Sequence, residues 1–274
     1  MTTAVRVRGL TKRYGDVQAV DGIDLDIRAG EVFAILGPNG AGKSTTVEIL
    51  EGHRRRDGGE VSVLGTDPGR PTREWRARVG VVLQTANDVA EATVRETVRH
   101  FAGYYPSARD PDEVIERVGL TDKAGKRIRQ LSGGQRRRVD VALGVIGGPE
   151  LLFLDEPTTG FDPEARRQFW ELIQGLAHQG TTIVLTTHYL DEAEALADRV
   201  AVIAKGRIVA EGDPATLGGR ATAEATVRWA GGSVETGTPT KTVLELTRQF
   251  DGEIPELAVT RPSLEDVYLR LIEG

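Results

Sequence analysis

The chain has 274 residues, enough to bury one large core with a smaller appendage. Hydrophobic residues at 39% and charged residues at 28% exclude an intrinsically disordered chain, and a formal net charge of -6 argues against a broad nucleic-acid footprint. The absence of cysteine excludes disulfides, thiolate zinc sites and cysteine nucleophiles.

The start, Met1 to Arg6, lacks the apolar centre of a secretory signal. No apolar run approaches the roughly 20 residues that a bilayer-spanning helix needs. The expectation is a cytoplasmic chain that would dock onto another polypeptide to serve a membrane process. The first thirty residues alternate, Val5 and Val7 and then Ile23, Leu25 and Ile27, which predicts an antiparallel β segment with one wet face. Strands are predicted at 31–36, 79–83, 151–154, 182–185 and 200–203, several of them near-continuous apolar runs that suit a mostly parallel sheet buried on both faces.

Between two of these strands, about 88–147 reads as a helical insertion, with helical spacing at 91–102 and from Asp112 to Val118. Another helix follows Pro163, with Phe169, Leu172, Ile173 and Leu176 on one face. After about Leu217 the texture changes. Strands at 224–229 and 233–236, a helix at 240–250, a strand at 256–260 and a terminal helix opened by Ser263 and Asp266 are predicted there. The expected organisation is an α/β domain over 1–217, with a mostly parallel core sheet, an antiparallel β subdomain and a helical subdomain, followed by a small α+β domain over 218–274.

Gly37-Pro38-Asn39-Gly40-Ala41-Gly42-Lys43-Ser44 fits the G-x-x-x-x-G-K-[ST] pattern between a predicted strand and a helical pattern over 43–52. Glycines there let backbone amides converge on phosphate oxygens, and the helix start adds its positive dipole. Lys43 suits the β/γ-phosphates and the Ser44 hydroxyl suits Mg²⁺. A buried strand, 151–154, then delivers Asp155 and Glu156 to the end of the sheet where open α/β folds bind ligands. Asp155 suits the Mg²⁺ shell and Glu156 suits an attacking water. A second glycine-containing loop, Leu131-Ser132-Gly133-Gly134-Gln135, also suits a phosphate, with Ser132 a candidate helix N-cap. Two phosphate-gripping elements for one nucleotide point to a dimer.

In this order and context the motifs resemble those of the ATP-binding subunit of an ATP-binding cassette (ABC) transporter, over roughly 1–215. The resemblance implies a P-loop ABC-type nucleotide-binding fold, ATP and Mg²⁺ as ligands, and hydrolysis by a pair of ATP-binding subunits joined to an integral membrane permease. It implies nucleotide contacts from Gly37 through Ser44 with Thr45, and contacts from Ser132, Gly133, Gly134 and Gln135 to the nucleotide of the other protomer. Tyr14 matches an adenine-stacking aromatic. Gln84 matches a Mg²⁺-touching glutamine, His188 a γ-phosphate-holding histidine, and Asp162 an aspartate that crosses the dimer interface. Phe161 stands where leucine is more usual. Residues 261–269 resemble the end of bacterial drug- and antibiotic-exporter ATPases, which favours export over import. The rival within the resemblance, a soluble ABC ATPase acting on nucleic acid or ribosomes, is opposed by the single cassette, the missing zinc cysteines and the lack of sustained heptads. No nucleic-acid partner is expected, and the chain is placed at the cytoplasmic membrane face through its permease.

Overall fold

The computed structural model describes residues 2–83, 91–250 and 253–273. The alternating start forms a long antiparallel pair, β1 (Thr3–Tyr14) and β2 (Val17–Arg28), with Val5 opposite Ile27 and Val7 opposite Leu25. The wholly buried β3 (Val32–Leu36) leads through residues 37–42 into α1 (Lys43–Leu50). Next come β4 (Gly58–Val63), a short α2 (Arg73–Ala77) capped by Thr72, and β5 (Val79–Val82).

The helical insertion contains α3 (Val94–Ala102), α4 (Pro111–Arg117) and α5 (Gly133–Val145). Each starts where the sequence supplies a cap. Thr93 and Glu96 form a capping box, Asp110 accepts two first-turn amides ahead of Pro111, and Ser132 and Gln135 form a second box. The sheet resumes with β6 (Leu151–Asp155), α6 (Pro163–His178), β7 (Thr182–Thr187), α7 (Leu190–Leu196), β8 (Arg199–Ala204) and β9 (Arg207–Gly212). The tail forms β10 (Ala225–Trp229), β11 (Gly232–Thr236), α8 (Pro239–Thr247), β12 (Ala258–Thr260) and α9 (Leu264–Glu273).

Among the described residues the central sheet has six strands in the order β5-β6-β7-β3-β8-β9. All neighbours run parallel except β8 and β9. Its inner strands β3, β6, β7 and β8 are almost wholly buried because each of the sheet's two faces meets a different core. Phe33, Ile35, Leu151 and Phe153 face the antiparallel sheet and α1, while Ala34, Leu36, Leu152 and Leu154 face the helices. Trp75 seals the first core and satisfies its indole by donating to the Val63 carbonyl at 2.8 Å. The antiparallel sheet is completed by β4 on the far side of β1, giving the order β2-β1-β4.

Strands β4 and β9 fall outside the sequence-based expectation, because each has an open face and too few apolar positions to stand out. In the tail, β12 begins at Ala258 rather than 256, since Glu256 holds a positive φ of 55° that an extended strand does not allow. The small sheet β11-β10-β12 packs with α8 around Val227, Leu246 and Ile254. The last helix does not: Leu264 and Val267 of α9 enter the core on the helical side of the central sheet.

Candidate functional site

The site forms where β3 ends. Residue 37 takes a φ of 157°, and a Cβ there would lie 2.3 Å from the Ile203 carbonyl oxygen of β8. At residue 42 the φ is 106°, and a Cβ would lie 2.2 Å from the Ala19 carbonyl oxygen of β2. The loop is therefore pressed between two strands at both ends, and only glycine fits either place. Ala41 turns its side chain into the core, and its carbonyl accepts from the Gly206 amide at 3.0 Å. Thr46, buried in the first turn of α1, donates its hydroxyl to the Gly42 carbonyl at 2.8 Å and fixes the loop's exit.

Lys43 opens α1 and is buried. Its ammonium donates to the Gly37 carbonyl at 2.8 Å and the Pro38 carbonyl at 3.2 Å, so the loop curls around it. An ammonium has three donors, and the third remains for an anion. Burial pushes the Lys43 ammonium below its usual range, against the opposing pull of the Glu156 and Asp155 charges.

At the end of β6 the register sets Asp155 beside Thr186 of β7. The Thr186 hydroxyl donates to the Asp155 carboxylate and accepts from the Glu156 amide at 3.1 Å, so one threonine orients both acids. Glu156 itself sits at a φ of 42°, a left-handed conformation costing about 1–3 kcal/mol in a residue with a side chain. Its Oε2 accepts from the Thr159 hydroxyl at 3.3 Å and lies 3.4 Å from His188 Nδ1. Strain of this kind is held only where the surroundings dictate it, here by the amide's second bond to the Thr186 carbonyl.

These parts enclose a cleft of about 280 Å³ lined by Tyr14 and Ala19, by Asn39, Gly40, Gly42, Lys43, Ser44 and Thr45, and by Glu156. The half-exposed Tyr14 ring has the Lys12 ammonium 5.4 Å and the Arg54 guanidinium 5.3 Å from its centroid. Amides at the loop and helix start, with the Lys43 cation, suit a polyphosphate, and the Tyr14 face suits a flat base. No group of three or more His, Cys, Asp or Glu side chains able to hold a metal occurs among the described residues. One carboxylate with a serine hydroxyl is nevertheless a fitting donor set for Mg²⁺, which is commonly held by one or two carboxylates, substrate phosphates and water.

The Ser132–Gln135 segment does not line this cleft. Ser132 caps α5, its hydroxyl accepting from the Gln135 amide at 3.3 Å while the Gln135 side chain accepts from the Ser132 amide at 3.1 Å. The first-turn amides of Gly133 and Gly134 belong to a second helix start with the same anion chemistry as α1. Gly134 lies against Phe161 and Ala165. Asp162 caps α6 by accepting from the Ala165 amide at 2.9 Å. Gln84 lies outside the described residues. The structure thus lines one cleft with the phosphate loop, Tyr14 and Glu156, sets Asp155 and His188 next to Glu156 without lining the cleft, and leaves Ser132–Gln135 and Asp162 at separate helix starts. Ala19, Thr46 and Thr186 escape sequence reading because their roles come from sheet neighbours and helix phase.

Fold and cleft define an α/β nucleotide hydrolase of the phosphate-loop class. Residues 20–159 match the family model described as ABC transporter. The daunorubicin resistance ATP-binding protein DrrA3 of Streptomyces coeruleorubidus is 45% identical over 215 residues, covering 77% of this chain and 68% of that protein. The Nod factor export ATP-binding protein I of Neorhizobium galegae is 44% identical over 221 residues, covering 79% of this chain and 64% of that protein. Among solved structures, a dimeric post-hydrolysis state of the ATP-binding cassette MJ0796 bound to ADP and Pi matches at 26% identity with a TM-score of 0.68, covering 76% of this chain and 98% of that one. The chain belongs to the ABC transporter family and is an ATP-hydrolysing, ATP-binding member of it.

Proposed function

We propose that this chain powers export of a drug-like, antibiotic or lipid-like substrate through a separate integral membrane permease, working at the cytoplasmic membrane face beside a second ATP-binding subunit. Export is supported by the relatives named for daunorubicin resistance and for Nod factor export. Among the described residues no helix is long and apolar enough to cross a membrane, so the path for substrate is assigned to another polypeptide. The observation that carries the two-chain reading is the separation of the Ser132–Gln135 helix start from the cleft built by the same chain's phosphate loop. A second chain, related head to tail and resembling the dimeric cassette above, would bring its own Ser132–Gln135 to the γ-phosphate.

In this reading Tyr14 stacks on adenine, Gly37 to Thr45 wrap the phosphates, and Lys43 neutralises the β/γ oxygens. Ser44 and Asp155, with Gln84, would hold Mg²⁺, which supplies charge neutralisation on the phosphates when bound. Glu156 takes the proton of the attacking water, and His188, 3.4 Å from the Glu156 carboxylate, orients water and γ-phosphate. Closing the sandwich depends on ATP because only the closed state makes the cross-chain phosphate contact. Residues 218–274 serve as an accessory domain bound to the ATPase domain through α9.

The test compares Glu156→Gln and Ser132→Arg in steady-state ATP turnover. Glu156→Gln lowers kcat by about 10²-fold or more, in the range a lost general base produces, and accumulates an ATP-bound dimer. Ser132→Arg retains nucleotide binding but loses turnover and dimerisation together. Turnover close to wild type in Ser132→Arg would refute the two-chain site.

A further inference from the structure

Arg137 lies one turn into α5, in the run Arg136-Arg137-Arg138, and is buried at 7% exposure. Its guanidinium is not spent on a close carboxylate, since Asp140 approaches only to 4.0 Å. It is spent on three backbone carbonyls. Nε donates to Pro157 at 3.1 Å, Nη2 donates to Asp155 at 2.8 Å, and Nη1 donates to Leu83. These carbonyls sit at the exits of β6 and β5, and two of them bracket Glu156 in sequence.

A buried cation is costly unless its donors are satisfied, and an apolar side chain would fill the same space without that cost. The planar fork of arginine is what lets one side chain address three carbonyls at fixed angles. The same stretch is held a second time. The Thr158 hydroxyl donates to the fully buried Glu192 carboxylate of α7 at 2.9 Å, and the Trp170 indole donates to the same oxygen at 3.2 Å. Asp155 to Thr158 is therefore gripped from α5 by a cation and from α7 by a carboxylate. A shift of α5 of about an ångström either carries this stretch along or breaks charge-assisted hydrogen bonds.

We propose that Arg137 is a positioning residue that links the two half-sites of one chain, so that nucleotide at the phosphate loop and the acids of β6 sets the placement of the Ser132–Gln135 helix start. The inference rests on the two-chain reading and adds to it the path by which one site reports to the other. Arg137 acts through the acids and through α5, and is assigned no contact with nucleotide.

The experiment uses the full chain as wild type, Ser132→Arg, Arg137→Gln and Arg137→Lys. It reads steady-state kcat and KM for ATP. In the Ser132→Arg background, where dimerisation is blocked, it also reads amide hydrogen exchange over residues 133–140 with and without Mg-ATP. Arg137→Gln lowers kcat about tenfold or more while KM stays within about threefold, the split expected when alignment and not ground-state binding is lost. Combined with Ser132→Arg, it cancels the ATP-induced change in α5 exchange while fluorescent-ATP affinity persists, a separation that a general loss of stability would not give. Arg137→Lys keeps the charge without the fork and falls between, and it decides the matter if Arg137→Gln fails to fold. A kcat for either variant equal to wild type, or an undiminished exchange response in α5, overturns the inference. Normal turnover in Ser132→Arg overturns the two-chain reading instead, and the exchange comparison still decides whether Arg137 couples the sites.

Discussion

Gly42 has no room for a larger neighbour, because the Ala19 carbonyl oxygen would lie 2.2 Å from its Cβ and its φ is 106°. Gly42→Ala must push the phosphate loop off β2 or strain its backbone. ATP affinity measured by fluorescent-nucleotide titration is expected to fall at least about tenfold, a modest 1.4 kcal/mol for such a clash, with the overall fold kept. Affinity equal to wild type would mean that the loop relaxes freely and that its packing against β2 is unimportant. The phosphate loop was legible in sequence because its chemistry demands fixed residue types at fixed spacing. Thr186 was not: in the run Thr-Ile-Val-Leu-Thr-Thr it reads as one more strand former, and only the β6–β7 register makes it the partner of Asp155. Arg137 was hidden in the same way, since a run of three arginines does not say which of them the helix phase buries.

Helix α1 carries an ionisable group at both ends of its short length, with Lys43 at its start and Glu51 at its C-cap. Burial pushes the Glu51 carboxyl up to about 8, with the Asp155 and Glu48 charges adding to the shift. The folded chain keeps this proton to about pH 8, while the unfolded chain releases it in the ordinary carboxylate range. Between those limits the folded state binds more protons, so the contribution of Glu51 to stability falls as pH rises. Glu51→Gln is therefore expected to raise the Tm relative to wild type at pH 8, with the gain shrinking toward pH 5. A Tm difference independent of pH would show that Glu51 does not titrate in this window. At the scale of elements, caps were the readable part: Ser132, and Ser263 with Asp266, stand at helix starts in sequence and in space. Strands with an open face, β4 and β9, were not, because pairing with a neighbour, and not their own pattern, makes them strands.

On the scale of the whole molecule, the central sheet divides two cores, and residues far apart in sequence complete each. Val32 of β3 and Val267 of α9 belong to the same one. Replacing Leu264 and Val267 together by Ala is expected to cost about 3 kcal/mol or more and to lower the Tm by several degrees, while ATP affinity changes less than about twofold. An unchanged Tm in thermal unfolding would show that α9 contributes nothing to the main core. The α/β class and the parallel sheet were legible from continuous apolar strands, but the seating of α9 was not, since an amphipathic stripe names no partner. That seating also bears on how the protein is made. A chain emerging from the ribosome leaves the β8 edge of that core, beside Leu196 and Leu217, without its α9 cover until Leu264 and Val267 have been synthesised. Chains stopped short of Leu264 would leave apolar side chains uncovered that α9 buries here, surface of the kind that makes unfinished chains aggregate.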